Sequence, residues 1–306
     1  MSKLVHIIDD SDDAHGLPMV VVLDGFLDAG NAAALAAQTL VAKSPVAPVV
    51  ATFDVDQFHD YRARRPAVSF VQDHYEAYDA PRLVVRRLTD MRGFPFLLLH
   101  GPEPDNRWEA FAAAVKHVVR KLDVGLVISM GSVPMAVPHT RPLTVTQHAN
   151  NPELITVKSP WRGEIRVPSN AAALLEVRLG EAGIDAVGFV AHIPHYLAQL
   201  DYPLAAEELL KRIEEPTELT LDRTGLTSEA ASRSIEITEY LGENEEVAEI
   251  VAALERQYDT FTRSEESGGN LLAPNEPLPT GDELGQEFER FLASLDDGNG
   301  GETKGE

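Results

Sequence analysis

Two apolar runs, Phe96–Leu99 and Leu126–Ser129, each empty into a rigid polar loop, and a helical pattern separates them. The first loop reads Gly101-Pro-Glu-Pro-Asp-Asn-Arg-Trp108, the second Gly131-Ser-Val-Pro-Met-Ala-Val-Pro-His-Thr-Arg-Pro142. Runs so short and so apolar read as strands buried on both faces, and a helix between two of them is the crossover of a parallel sheet. Sheets of that kind bind ligands beyond the carboxyl ends of their strands. Five prolines between Pro102 and Pro142 stiffen the two loops, which together with the end of the first strand carry His100, Arg107, His139 and Arg141. A site is expected at that edge.

The grammar repeats along the chain. Met19–Asp24 is a strand, Gly25–Gly30 a turn, and the Ala-rich stretch 31–42 a helix. Pro48–Asp54 and Leu83–Leu88 are strands, the first rich in β-branched residues. Phe94–His100 is the next strand, with Asn106 and Glu109 spaced as an N-cap and its N3 partner for a helix ending at Lys121. Phe111, Val115 and Val118 form one stripe of that helix. Val124–Met130 is a fully apolar strand. Ser169 or Asn170 caps a helix running to Glu181, and Ile184–Ala191 is a strand again. Strands alternating with helices at this spacing predict an α/β protein, a three-layer α/β/α core with a mostly parallel sheet.

The composition shifts near Pro216. Helical patterns over 228–241 and 245–261 meet at Gly242-Glu-Asn244, with apolar stripes that predict a C-terminal helical hairpin. From Arg263 onward eleven acidic residues face three basic ones, a net charge of −8, in a Gly- and Pro-rich stretch that reads as a disordered acidic tail. The expected division is a core over 1–216, a hairpin appendage over 217–262 and the tail over 263–306. Within the tail, 282–295 has helical spacing, and Leu284, Phe288, Phe291 and Leu292 form the apolar side of a partner-docking helix.

Charge narrows the functions. A formal net charge of −23 argues against binding nucleic acid or an anionic membrane surface. The chain has no cysteine, which excludes disulfides, thiolate metal sites and a cysteine nucleophile. Met1–Asp13 lacks the pattern of a signal peptide, and no apolar segment approaches the roughly 18–20 residues that span a bilayer. The chain reads as soluble and cytoplasmic.

The chemical motifs are incomplete. Gly25-x-x-x-x-Gly30 has the glycine spacing of a phosphate loop, but Asn31 and Ala32 stand where that loop needs a lysine and a hydroxyl. A small anion at the N–H groups of this helix start, near Gly30 and Asn31, is the residual expectation, against a simple tight turn. Asp54, Asp56, His59 and Asp60 match no metal loop, and they read as a solvated acidic loop paired with Arg62, Arg64 and Arg65. His192 and His195 are separated by Pro194 and lack the glutamate of a zinc-protease helix, while His139 and His148 are scattered, so structural roles are expected. Ser129 and Ser132 flank Gly131, but Ser-Met-Gly-Ser-Val is not the nucleophile elbow of an α/β-hydrolase. No metal and no cofactor are expected.

Several long motifs, taken in order, do carry a resemblance. Asp24-Gly-Phe with Gly30-Asn31, Phe58-His-Asp-Tyr-Arg-Ala-Arg-Arg-Pro66, Gly101–Trp108, Pro138-His-Thr-Arg-Pro142 and Ala191-His-Ile-Pro-His195 resemble the bacterial branch of the proteasome assembly chaperone 2 family. The resemblance covers about Met19 to Leu210. It implies a Rossmann-like core related in fold to nucleoside phosphorylases and hydrolases, assembled as a homotrimer, with no established reaction. Family members that engage proteasomes commonly end in a hydrophobic residue, a tyrosine and one more residue. This chain ends Lys304-Gly-Glu306, so docking in that mode is not expected.

Two functions follow. The first is a non-enzymatic interaction or assembly-chaperone-like protein whose partners are its own copies and another protein. The alternative is a nucleoside- or nucleotide-binding enzyme of phosphorylase or hydrolase type. Its pocket would draw on Gly30, Asn31, Arg62, Arg65, Arg107, His139, Arg141 and His195, arginines gripping an anion and histidines moving protons.

Overall fold

The computed structural model describes residues 4–9, 11, 14–44, 46–157 and 164–266. An eight-stranded sheet runs through it: β1 (Val5–Ile7), β2 (Met19–Asp24), β3 (Val49–Phe53), β6 (Val84–Thr89), β7 (Pro95–Pro102), β8 (Val127–Met135), β9 (Val145–Ala149) and β10 (Ala186–Pro194). A separate two-stranded hairpin holds β4 (Ser69–Val71) and β5 (His74–Glu76). The large sheet has the order β1-β3-β6-β7-β2-β8-β10-β9.

Its centre, β7-β2-β8-β10, is parallel, with α2 (Trp108–Lys121) making the crossover from β7 to β8, while α1 (Ala32–Lys43) carries the chain from β2 to β3 and α3 (Ala171–Gly180) from β9 to β10. Antiparallel strands flank it on both sides, so the sheet as a whole is mixed. A short connection makes one of these pairings, that of β6 with β7. The turn Asp90–Phe94 returns β6 into β7, with the buried Asp90 carboxylate accepting the N–H groups of Arg92 and Phe94 at 2.8 Å each.

Alternation along the central strands sorts the core into two clusters. Val20, Val22, Phe96, Leu98 and Ile128 face α1 and α4 (Pro203–Thr217), whereas Met19, Val21, Leu97, Leu99 and Val127 face α2 and α3. Every one of these side chains is at most 3% exposed, which is why the strands read as continuous apolar runs rather than as half-buried ones. The layers are helix, sheet and helix.

Helix α4 follows Tyr202 with proline at its first position, where the missing N–H costs nothing. Two C-terminal helices come after it, α5 (Thr224–Glu243) and α6 (Glu245–Glu266). Helix α5 seats Leu226 and Ile237 in the same cluster as Leu209, Leu210 and Ile213 of α4. Residues 1–258 form one compact unit, and 259–306 a second whose described part, 259–266, is helical. The segment 282–295, with Leu284, Phe288, Phe291 and Leu292, lies outside the described residues.

One cap differs from expectation. Helix α2 starts from Arg107 in the left-handed region (φ 57°) with no side-chain cap, and Glu109 is drawn off to Arg178 of α3, 2.6 and 2.9 Å away. A bidentate guanidinium outcompetes a single reciprocal cap bond for that carboxylate. At α3 the expected Asn170 cap is present, its Oδ1 accepting from Ala173 N at 2.7 Å. Among the described residues, no helix is long and apolar enough to cross a membrane.

Candidate interaction face

The carboxyl ends of β2 and β7 are tied together by one arginine. The Arg64 guanidinium donates to the Glu103 carbonyl at 2.5 Å and the Asp24 carbonyl at 3.4 Å, and meets the Asp105 carboxylate at 2.8 Å. His59 Nε2 stands 2.9 Å from the Arg64 carbonyl, and Asp105 also accepts the Asp60 N–H at 2.6 Å. Burial pushes the Asp105 carboxyl up, but the Arg64 and Asp60 donors outweigh it and hold it below its ordinary range. Asp24 moves the other way: burial and then Asp28 raise it, against Arg64.

Two glycines allow this approach. Gly101 has φ 134° and no room for a side chain, because the Arg82 carbonyl crosses directly above it. Gly25, at φ 144°, leaves space for the Arg64 guanidinium.

An arm follows the clasp in the chain. Residues 67–80 form the β4–β5 hairpin and its flanks, closed by Asp79 N to the Ala67 carbonyl at 2.9 Å, and every residue in that stretch is exposed. It nonetheless carries Val68, Phe70, Val71, Tyr75 and Tyr78, with Phe70 60% and Tyr75 73% exposed and their rings 5.0 Å apart. An isolated two-stranded hairpin is marginal in water, and exposed aromatics of this size mark an interaction surface. Exposed apolar side chains continue along the same edge at Phe26 and Leu27 after β2. Ile165 and Val167 add to them, on the segment leading to Ala171, whose N–H bonds Glu103 Oε1 at 2.7 Å.

The other candidate residues gather elsewhere. At the α1 start Gly30 packs on Tyr202, and Asn31 donates to Asp201 at 2.6 Å. The N–H groups that could hold an anion already face the Asp28 carboxylate, which accepts from Ala33 and Ala34 at 2.9 Å each. Arg107 donates to Gln57, and Arg62 and Arg65 are exposed.

Beyond β8 and β10, the Tyr196 hydroxyl accepts the His139 N–H at 2.9 Å and lies 2.7 Å from His139 Nδ1, and His195 packs edge-on against the same ring. Arg141 is 3.3 Å from Glu255 of α6. Burial lowers His139 and His195, against Glu255 and a Met135 backbone bond respectively, and lifts Tyr196 to about 12. Neutral rings bonded to one another are what a packed, structural cluster requires.

Comparison with known families closes the question of kinship. The family model described as PAC2 matches residues 22–241. The chain belongs to the PAC2 family. Solved structures agree. This PAC2 protein is 44% identical to a Mycobacterium tuberculosis protein of unknown function, with 87% of this chain and 92% of that one covered and a TM-score of 0.81. A Corynebacterium glutamicum protein of unknown function is 32% identical over 84% and 97% of the two chains, with a TM-score of 0.78. A Mycobacterium tuberculosis proteasome-assembly chaperone homologue is 28% identical over 77% and 100%, with a TM-score of 0.68. Comparison with curated proteins gives no match.

The loop expected to pair Asp54, Asp56, His59 and Asp60 with Arg62, Arg64 and Arg65 instead sends Arg64 to Asp105, and the arm that follows it carries little sequence pattern. Val68, Phe70, Val71, Tyr75 and Tyr78 were the available signal, β-branched and aromatic residues between Pro66 and Pro81.

Proposed function

We propose that this PAC2 protein is a non-enzymatic, cytoplasmic assembly-chaperone-like protein that works through protein contacts at the carboxyl edge of its sheet. Its first partner is its own copy, in the homotrimer that the family resemblance implies, and a proteasome-related protein is the second. One observation carries the reading: the β4–β5 arm, which follows the Arg64 clasp in the chain, with its exposed aromatics. The name of the chaperone homologue at 28% identity supports the choice of second partner.

Area sets what the arm achieves. A large aromatic presents roughly 200 Å². At 60%, 73% and 55% exposure, Phe70, Tyr75 and Tyr78 together offer about 375 Å². That is near half of the ~800 Å² each partner contributes to a standard interface. The remainder comes from Phe26, Leu27, Ile165 and Val167 on the same edge.

Light scattering on the full chain tests this. Wild type should run at three times the protomer mass, and the double variant Phe70→Ser, Tyr75→Ser as a monomer with unchanged circular dichroism. Wild type running as a monomer at micromolar concentration, or an unchanged assembly in the variant, would remove the self-association reading. Cross-linking against purified proteasome subunits tests the second partner separately, with links expected at the edge segments 25–28 and 164–168.

A further inference from the structure

The arm and the loop from which it springs carry opposite charges. Residues 67–80 hold Asp73, Glu76 and Asp79 and no lysine or arginine, a formal charge of −3 with His74 neutral. The Asp73 side chain is 91% exposed and that of Glu76 55%. At the root of the arm Arg62 and Arg65 are exposed too, and among the described residues neither guanidinium meets a carboxylate. Acceptors are not scarce in a chain with 49 acidic residues against 26 basic ones, so two uncompensated arginines this close together are the exception.

Arg64, between them, places this root. Its Nη1 lies 3.0 Å from the point where a side chain on Gly25 would begin, so the root packs beside the turn that bears Phe26 and Leu27, 41% and 52% exposed. The result is an apolar patch with a basic rim. The hairpin register fixes what the arm presents. Phe70 pairs with Tyr75 on one face, while Ser69 with Glu76 and Val71 with His74 point to the other. Both faces are exposed, and a lone two-stranded hairpin is marginal in water. An aromatic face backed by carboxylates is the complement of an apolar patch rimmed by arginines. Within one chain both surfaces stand uncovered.

We infer that the arm of one copy seats on the patch of the next. Phe70 and Tyr75 lie on Phe26 and Leu27, and Arg62 and Arg65 reach Asp73 at the tip and Glu76 on the opposite face. This rests on the self-association reading above and names its two surfaces. Because those surfaces differ, the contact is heterologous: every copy gives an arm and receives one, and the repeat closes a ring when the rotation allows. Three copies make the ring that the self-association reading calls for.

Charge reversal on the full chain, read by light scattering, tests the pairing. Arg62→Glu with Arg65→Glu should lose the trimer, its dissociation constant rising about 100-fold or more. Asp73→Arg with Glu76→Arg should do the same. The quadruple variant restores opposite charges and should restore the trimer. All four side chains are exposed, so circular dichroism and melting should match wild type. A second measurement needs no reversal. In Arg62→Lys with Arg65→Lys, a carbodiimide should couple an introduced amine to Asp73 or Glu76 of another copy, in a band of dimer or trimer mass. A trimer that survives both reversals, a quadruple variant that stays dissociated, or coupling confined to single chains would overturn the pairing and leave self-association standing. A wild type that is already monomeric would remove self-association, and this inference with it.

Discussion

Replacing Asp28 with alanine tests how the start of α1 is held. The Asp28 carboxylate accepts from Ala33 N and Ala34 N at 2.9 Å each and from Ser132 Oγ at 2.8 Å. The Ser132 hydroxyl has an alternative acceptor, the Ala29 carbonyl at 2.7 Å, so it stays satisfied without Asp28. The loss is then two N–H bonds to a charged cap. Removing a cap costs about 1 kcal/mol, with a range of roughly 0.5–2. Removing the negative charge from a helix N-terminus costs a further ~0.3–1 kcal/mol. A total near 2 kcal/mol should lower the melting temperature by about 4–8 °C in a unit of this size. Asp28→Asn retains one acceptor oxygen and should lose about half as much.

The vacated N–H groups would then be open to a solution anion. Phosphate should raise the melting temperature of Asp28→Ala more than that of wild type, measured against chloride at equal ionic strength. At a hundred times its dissociation constant, phosphate would restore about 2.7 kcal/mol. Urea unfolding with unchanged slope is the equilibrium check. A variant within about 0.5 kcal/mol of wild type would show that water caps α1 equally well. An equal phosphate response in both proteins would show that the anion binds elsewhere.

Acid should weaken the fold before the carboxylates titrate. Burial holds His100, His139, His192 and His195 below the ordinary imidazole range; Arg86 adds to the effect at His100, while Glu255 opposes it at His139 and a Met135 backbone bond at His195. The unfolded chain therefore binds more protons below its own imidazole pKa of about 6.5, so stability is full above that pH and falls as pH drops toward the depressed folded values. Melting at pH 5.5 should lie below that at 7.5, and a flat profile in that window would contradict the burial of these rings. Truncation after Gly225 removes Leu226 and Ile237, both buried on α4. Burial of one such side chain is worth about 2–5 kcal/mol, so the shortened chain should melt well below the full one. Equal melting would mean that α5 onward is an appendage.

The layered core was legible because local periodicity reports which faces of a segment are buried. Met19–Val22, Phe96–Leu99 and Val127–Ile128 are apolar on both sides, the composition expected of a strand covered by helices on both faces. For the same reason β4 and β5, wholly exposed, and β9, only partly buried at the sheet edge, left little pattern to read. The loop motif containing His59 and Arg64 was visible, but its acceptors were not. Two of them are the backbone carbonyls of Asp24 and Glu103, which carry no sequence signal and come within reach only when β2 and β7 lie side by side.

The α1 start shows the same division. The glycine spacing predicted a tight turn before a helix, and only the folded chain put the Asp28 carboxylate on the N–H groups that the spacing left open. Ser129, Gly188 and His148 go furthest. Separately they are a strand serine, a strand glycine and a scattered histidine. The antiparallel return of β9 onto β10 brings them into line, and register across a sheet is a property of pairing between strands, which no single segment encodes.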